Sequence, residues 1–306
     1  MSASGRAVEV KVDSRTMKLT NLDKVFWPEV GFTKGQMIDY YTRIAPVLLP
    51  HLKERPLTLK RYPNGVDGEM FYEKNCPSHR PPWIGTAKVW SGGNNRWMYY
   101  CLVQDLPSLV WVAQLGTIEL HTSLSLARKL PQPRMLVFDL DPGPPATIVE
   151  CCEVAQWLRA WFRERDMESF CKTSGSKGLQ MYVPLNTPVD YEQTKLISRG
   201  LGQLFEREQP DRVVYMQRKT LREGRVLIDW SQNDEYKTTV SVYSLRARAR
   251  PTVSTPVSWE EVERCFEARD PDLLVFDAGQ VLERVQRHGD LFEPLLKLKQ
   301  KLPAAL

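Results

Sequence analysis

The chain has 306 residues, enough for one large domain or two ordinary ones. Apolar residues make up 42% and charged residues 26%, the balance of a soluble globular protein rather than a disordered or fibrous one. Net charge is +5 and uneven: residues 1–130 carry 17 Lys and Arg against 11 Asp and Glu, while residues 131–306 carry 25 against 26. A basic first half beside an acidic centre suits a polyanion held next to a metal site. The six cysteines form no Cys-x-x-Cys pair, so no disulfide framework is expected and a reducing cytoplasm is the natural setting. Cys76 and His79 have half of a zinc-site spacing, but no second pair follows. The N-terminus lacks an apolar signal segment, and no run approaches membrane-spanning length.

In chain order, residues 1–15 read as a polar arm, and Leu19 to Pro28 as a turn-rich segment carrying Lys24. Thr33 and Gln36 form a capping-box pattern, and Met37, Tyr40, Tyr41, Ile44 and Leu48 give the helix behind it one apolar face. Lys34 lies in its first turn. There, free backbone N–H groups favour an anion and disfavour a cation, which suggests a phosphate partner. Alternation over Pro56 to Tyr62 predicts a strand that presents Lys60 on its polar face, and Phe71–Asn75 a shorter extended piece. Lys88 to Leu102 reads as two strands joined by Gly92-Gly93-Asn94-Asn95. Leu106 to Leu115 is helix-like, and Thr117 to Ser125 is a half-buried strand with His121 among its polar positions.

Leu136-Val137-Phe138 is a strand stopped by Pro142-Gly143-Pro144-Pro145, with Asp139 and Asp141 two apart at its end. Side chains at i and i+2 of a strand leave the same face, and two adjacent carboxylates repel unless a cation lies between them. Hard oxygen ligands of this kind suit Mg²⁺ or Mn²⁺; the plain alternative is two solvated acids at an exposed strand end. Thr147 and Glu150 cap a second helix with Val154, Trp157, Leu158, Trp161 and Phe162 inward. Strands over Phe170–Thr173 and Leu179–Pro184 bracket the small-residue loop Ser174-Gly175-Ser176-Lys177-Gly178. Its backbone N–H groups can approach an anion, although an ordinary hairpin turn has the same composition.

Asp190 to Glu208 predicts a third helix, with Gly200 and Gly202 inside it, and Val226–Trp230 a strand that brings a third acid, Asp229. Three carboxylates suffice for two divalent ions. Ser241–Arg250 reads as extended, with Arg246, Arg248 and Arg250 on one face. That pattern suits phosphate recognition, or equally an edge strand protected by charge. Ser258 and Glu261 cap a C-terminal helical region, and Lys301–Leu306 suits a linker remnant after a single domain over residues 16–300. Strands that outnumber helices without alternating strictly with them indicate an α+β fold.

The Asp-x-Asp strand, the Ser-Gly-Ser-Lys-Gly loop and the later Ile-Asp-Trp strand together resemble the archaeo-eukaryotic primase superfamily. Leu19–Pro28, Arg55–Gly65 and Tyr243–Arg248 narrow the resemblance to the polymerase domain of bacterial DNA ligase D, along nearly the whole chain. The resemblance implies a primase-polymerase fold with mixed and antiparallel central sheets flanked by helices. It implies a gap-filling nucleotidyltransferase of bacterial non-homologous end joining that uses Mn²⁺ or Mg²⁺ and prefers ribonucleotides. Asp139, Asp141 and Asp229 would be the catalytic metal ligands. Lys60, His121, Ser174, Gly175, Lys177, Gln180 and Arg246 would face the nucleotide. Lys24 and Lys34 would take the 5′-phosphate of a DNA gap, Phe71 and Tyr72 the bases, and Arg222 the DNA end. Fused or partner ligase and nuclease modules and the Ku end-binding protein are also implied, in the cytoplasmic nucleoid. One departure stands out: the superfamily usually has a His where this chain has Gln180, so the charge that His supplies must come from elsewhere, with Lys177 as the candidate. Two alternatives remain at this point, a phosphatase of the haloacid dehalogenase type and a non-catalytic DNA-end-binding module.

Overall fold

The computed structural model describes residues 7–91 and 95–303. Its centre is the strand Met135–Pro142, paired antiparallel on one side with Leu179–Pro184 and on the other with Val226–Asp229. Phe170–Thr173, Pro256–Val257 and Val213–Val214 complete a six-stranded sheet in which only the Val213–Val214 pairing is parallel. A second, wholly antiparallel sheet runs Thr239–Val240, Thr117–Thr122, Leu57–Arg61, Arg96–Cys101, Thr86–Ser91, with Phe71–Glu73 added beside Leu57–Arg61. Helices flank both sheets, so the architecture is the α+β arrangement expected.

Alternation along Met135–Pro142 decides where the acids emerge. Leu136, Phe138 and Leu140 are fully buried in a core shared with Cys152, Val154 and Leu158 of the helix Ile148–Arg163 and with Leu201 of the helix Tyr191–Glu208. Met135 and Val137 point the other way, into a core built with Leu57, Leu59, Ile118 and Leu120 of the second sheet and with the helix Lys34–Leu52. Asp139 and Asp141 continue that second face, so both acids open toward the space beside the other sheet. The capping boxes at Thr33, Thr147 and Ser258 all form, each side chain accepting from a first-turn N–H. Tyr191–Glu208 runs unbroken through Gly200 and Gly202.

Three expectations change. Within the stretch expected to be an arm, Ala7–Val12 pairs with Arg15–Thr20 as a hairpin, because Val10, Val12 and Met17 find an apolar surface to pack on; residues 1–6 lie outside the described residues. Cys76 and Cys101 form a disulfide, 25 residues apart. Tight spacing is no guide when register does the pairing: the Cys76 N–H donates to the Tyr99 carbonyl at 2.6 Å, which lays Cys76 alongside the strand that carries Cys101. Ser241–Arg250 is not an extended strand, since the Arg246 N–H turns back to the Thr252 carbonyl at 2.8 Å. Arg246 therefore points inward, while Arg248 and Arg250 are exposed.

Thr86–Ser91 and Arg96–Cys101 pair as the expected hairpin, whose turn residues Gly92, Gly93 and Asn94 lie outside the described residues. Of the expected linker remnant, residues 304–306 lie outside them as well. Among the described residues, no helix is long and apolar enough to cross a membrane.

Candidate active site

The three acids meet because of strand register. Asp139 is the direct cross-strand partner of Asp229, and Asp141 lies two residues further along the same face. Burial first and then the Asp141 charge raise the Asp139 pKa to about 7, against a hydrogen bond from Gln180 that favours the ionised form. Burial and Asp229 likewise push Asp141 up, opposed by the nearby cations Arg222 and Arg246. Asp229 Oδ1 accepts from Gln217 Nε2 at 2.9 Å, Ser231 N at 2.9 Å and Ser231 Oγ at 2.6 Å.

Crowded carboxylates that suppress one another's ionisation form a donor set that fits a hard divalent ion. Among the described residues, however, no three His, Cys, Asp or Glu side chains close around a metal position by themselves. The acids make an open platform, which suits an ion that completes its shell with water or phosphate oxygens.

A second group is organised by Glu119, which sequence reasoning missed as a site residue. Its carboxylate is 1% exposed. It accepts from Lys60 Nζ at 3.3 Å to each oxygen, from His121 Nε2 at 2.9 Å and from the Ala247 N–H at 3.1 Å. Arg246 Nε stands 3.4 Å from Glu119 Oε1 as an ion pair, but without hydrogen-bond alignment. Burial alone would raise the Glu119 pKa. The His121 hydrogen bond and the Arg246 and Lys60 charges carry it well below the usual carboxylate range. Burial holds His121 below the ordinary histidine value, so at neutral pH its neutral ring donates to Glu119. The structure thus brings Lys60, His121 and Arg246 together, as expected for residues serving one ligand. The alternation Glu119–His121 could have identified Glu119, since one strand face carries both.

Arg246 also ties in the Ser174–Gly178 loop, donating to the Ser174 carbonyl. Ser174 Oγ accepts from the N–H groups of Ser176 at 3.2 Å and Gly178 at 3.1 Å, which fixes the loop. Gly175 adopts φ +66, and a Cβ there would sit 2.7 Å from the Val253 backbone. Lys177 is exposed at the tip. Gln180 is buried in the sheet directly opposite Asp139. It is 3% exposed, donates to Asp139 Oδ1 at 2.9 Å and accepts from the buried Lys172 Nζ at 2.5 Å. Behind it stands the buried amine of Lys172, whose pKa burial pushes well below the ordinary lysine value, a residue that sequence spacing does not single out.

Of the residues expected at DNA, Tyr72 and Arg222 border these two groups. Phe71 and Tyr72 are 45% and 47% exposed, and the Tyr72 ring stands edge-on to His121 with centroids 6.1 Å apart. Arg222 lies beside Asp141, and its buried Nε has no hydrogen-bond partner. Lys24 and Lys34 come together: the Lys34 N–H donates to the Lys24 carbonyl at 2.8 Å. Burial and then the Lys24 charge lower the Lys34 pKa to about 8. The expected free N–H groups are not there, because Lys34, Gly35 and Gln36 donate to Lys24 O, Leu22 O and Thr33 Oγ1. Any anion attraction at this place comes from the two ammonium groups.

Residues 33–292 match the family described as LigD, primase-polymerase domain. The multifunctional non-homologous end joining protein LigD of Mycolicibacterium smegmatis is 40% identical over 284 residues, covering 91% of this chain and 36% of that protein. The bifunctional non-homologous end joining protein LigD of Bacillus subtilis is 27% identical over 288 residues, covering 94% of this chain and 45% of that protein. This chain thus spans less than half the length of these relatives. The polymerase domain from Mycobacterium tuberculosis ligase D, solved in complex with DNA, superposes with a TM-score of 0.85 at 36% identity, covering 93% of this chain and 99% of that one. With its acids, loop and sheets in the order the resemblance implied, the chain belongs to the LigD primase-polymerase domain family.

Proposed function

We propose that this chain is a nucleotidyltransferase that fills gaps at broken DNA ends, joining a primer 3′-hydroxyl to the α-phosphate of an incoming nucleotide and releasing pyrophosphate. The observation that carries the reading is the approach of two sets through Arg246, which lies near Asp141: Asp139, Asp141 and Asp229 from two neighbouring strands, and Lys60, His121 and Arg246 gathered on Glu119. A polymerase domain of this family implies a divalent metal and nucleotides as substrates; Mn²⁺ or Mg²⁺ in a two-ion site is the finer proposal. Asp139, Asp141 and Asp229 would hold the ions, which supply charge stabilisation at the phosphate and leaving oxygens and lower the pKa of the attacking hydroxyl.

The protein's own part is positioning. Arg246 and Lys177 balance triphosphate charge while the Ser174–Gly178 backbone cradles it. Lys60 and His121, held by Glu119, orient the nucleotide from the opposite sheet. Phe71 and Tyr72 offer flat faces on which any base can stack. Lys24 and Lys34 take the 5′-phosphate across the gap, and Arg222 the DNA end. Ribonucleotides are the preferred substrate in this reading, and ligase and nuclease modules with Ku act on the same break.

Extension of a labelled primer in a gap bearing a 5′-phosphate, with Mn²⁺ and either ribo- or deoxyribonucleotides, tests it. Single-nucleotide addition that favours the ribo form is expected. DNA binding without any extension would instead make the chain a non-catalytic end-binding module.

A further inference from the structure

Four side chains stand in one row across four neighbouring strands. Lys172 is the direct partner of Gln180, Gln180 of Asp139, and Asp139 of Asp229. Directly opposed residues on adjacent strands project from the same face, so the row runs from a lysine amine through an amide to two acids. Lys172 is 1% exposed, and its Nζ lies 2.5 Å from Gln180 Oε1 and 2.6 Å from Ser254 Oγ. The Tyr182 hydroxyl donates to the same Gln180 oxygen at 3.2 Å. On its other side, Gln180 Nε2 donates to Asp139 Oδ1 at 2.9 Å and to Thr239 Oγ1 at 3.2 Å. Two donors converging on the oxygen fix which way the amide faces, so its NH₂ is held toward Asp139.

A buried amine with no carboxylate directly against it is costly, and an apolar side chain of the same length would pack there at less cost. The position makes sense if the amine acts through its neighbour, to which it donates. We infer that Lys172 is a positioning residue for the acid platform: it locks the Gln180 amide, and that amide ties one oxygen of Asp139 and leaves the other for the ion. Lys172 touches neither metal nor nucleotide. The inference rests on the reading of Asp139 as a metal ligand.

The test measures Mn²⁺ binding, by the electron paramagnetic resonance signal of free Mn²⁺, without nucleotide or DNA. Wild type, Lys172→Met, Gln180→Met and the double variant are compared. Each single change is expected to weaken Mn²⁺ binding about tenfold, as the loss of a ligand-orienting partner does. The double variant should be no weaker than the worse single one, because both residues act along one path. Lys172→Gln, which restores a donor to the Gln180 oxygen, should recover part of the loss. Thermal stability of Lys172→Met should match or exceed wild type, whereas a purely structural lysine would give the reverse pattern: lower stability with unchanged Mn²⁺ affinity. If wild type binds no Mn²⁺, the metal reading itself falls. If wild type binds and Lys172→Met binds equally well, or the two losses multiply in the double variant, the role of Lys172 is refuted. Should Lys172→Met fail to fold, Lys172→Leu, which likewise lacks a donor, takes its place, and wild-type Mn²⁺ affinity in it together with weakened binding in Gln180→Met would refute the role equally.

Discussion

Replacing Glu119 by Gln removes one negative charge from the most densely contacted carboxylate in the second sheet. Glu119 Oε2 accepts from both Lys60 at 3.3 Å and His121 at 2.9 Å, and Oε1 accepts from the Ala247 N–H at 3.1 Å. A Gln can keep the Ala247 contact, but its NH₂ must then face the Lys60 and His121 donors. One of the two Lys60 contacts and the His121 bond are lost, both made to the Oε2 carboxylate oxygen, at about 1.5–3 kcal/mol per charge-assisted bond before relaxation. Lys60 can still reach the remaining oxygen. Lys60 is partly exposed and can turn to solvent, so a net loss of about 3 kcal/mol is expected, near the lower end for breaking a buried pair. For a chain of this length that corresponds to a fall in Tm of roughly 6 °C.

The pH dependence gives a second check. The Glu119 pKa is depressed in the fold, so its contribution is fully present above the unfolded value of 4.5 and shrinks as pH falls below it. Urea unfolding of both proteins between pH 3 and 7 measures this directly. A difference under about 0.5 kcal/mol at pH 7, or one that does not shrink toward pH 3, would refute the assignment of Glu119 as the organiser of the cationic group.

Other consequences can be checked independently. Gly178→Ala places a Cβ 2.2 Å from the Leu140 carbonyl oxygen, so the loop must move off the acid strand; weaker nucleotide binding and a stability loss of about 1–3 kcal/mol are expected in equilibrium titration and urea unfolding. Replacing Lys24 and Lys34 together by Ala should weaken binding to a 5′-phosphorylated gap far more than to the same gap with a 5′-hydroxyl, and equal losses would reduce the pair to general positive charge. Asp139 is raised to about 7 from 3.8, so its neutral form is favoured in the fold. Without metal, the stability of wild type relative to Asp139→Asn should therefore fall as pH rises from about 4 to about 7. Mn²⁺ at about 100 times its Kd should add about 2.7 kcal/mol of stability at neutral pH, seen as a higher Tm.

The acids and the loop were legible because each sits at a place where local sequence changes character. The apolar run ends at Asp139, the small-residue run interrupts two strands at Ser174, and Val226–Ile228 ends on Asp229. Register was not legible: nothing local says that Asp139 lies opposite Asp229 rather than one residue away, and that pairing is set by packing on both faces of the sheet. Glu119 and Lys172 escaped notice because each looks like one polar residue in an alternating strand; their roles arise only when the strands align. Arg246 was singled out for the wrong surroundings. Its spacing suggested three exposed guanidiniums on one face, but the chain turns at Arg246, and its side chain reaches Glu119 and Ser174.

The most direct measurement of the central claim is pyrophosphate release on a primed, 5′-phosphorylated DNA gap in the presence of Mn²⁺, with wild type beside Asp229→Asn. One pyrophosphate per nucleotide added by wild type is predicted, together with loss of release in the variant at near-normal DNA affinity, because Asp229 closes the acid platform from the neighbouring strand. Release that persists in Asp229→Asn at near wild-type rate, or wild type that binds the gap and releases none, would contradict the account.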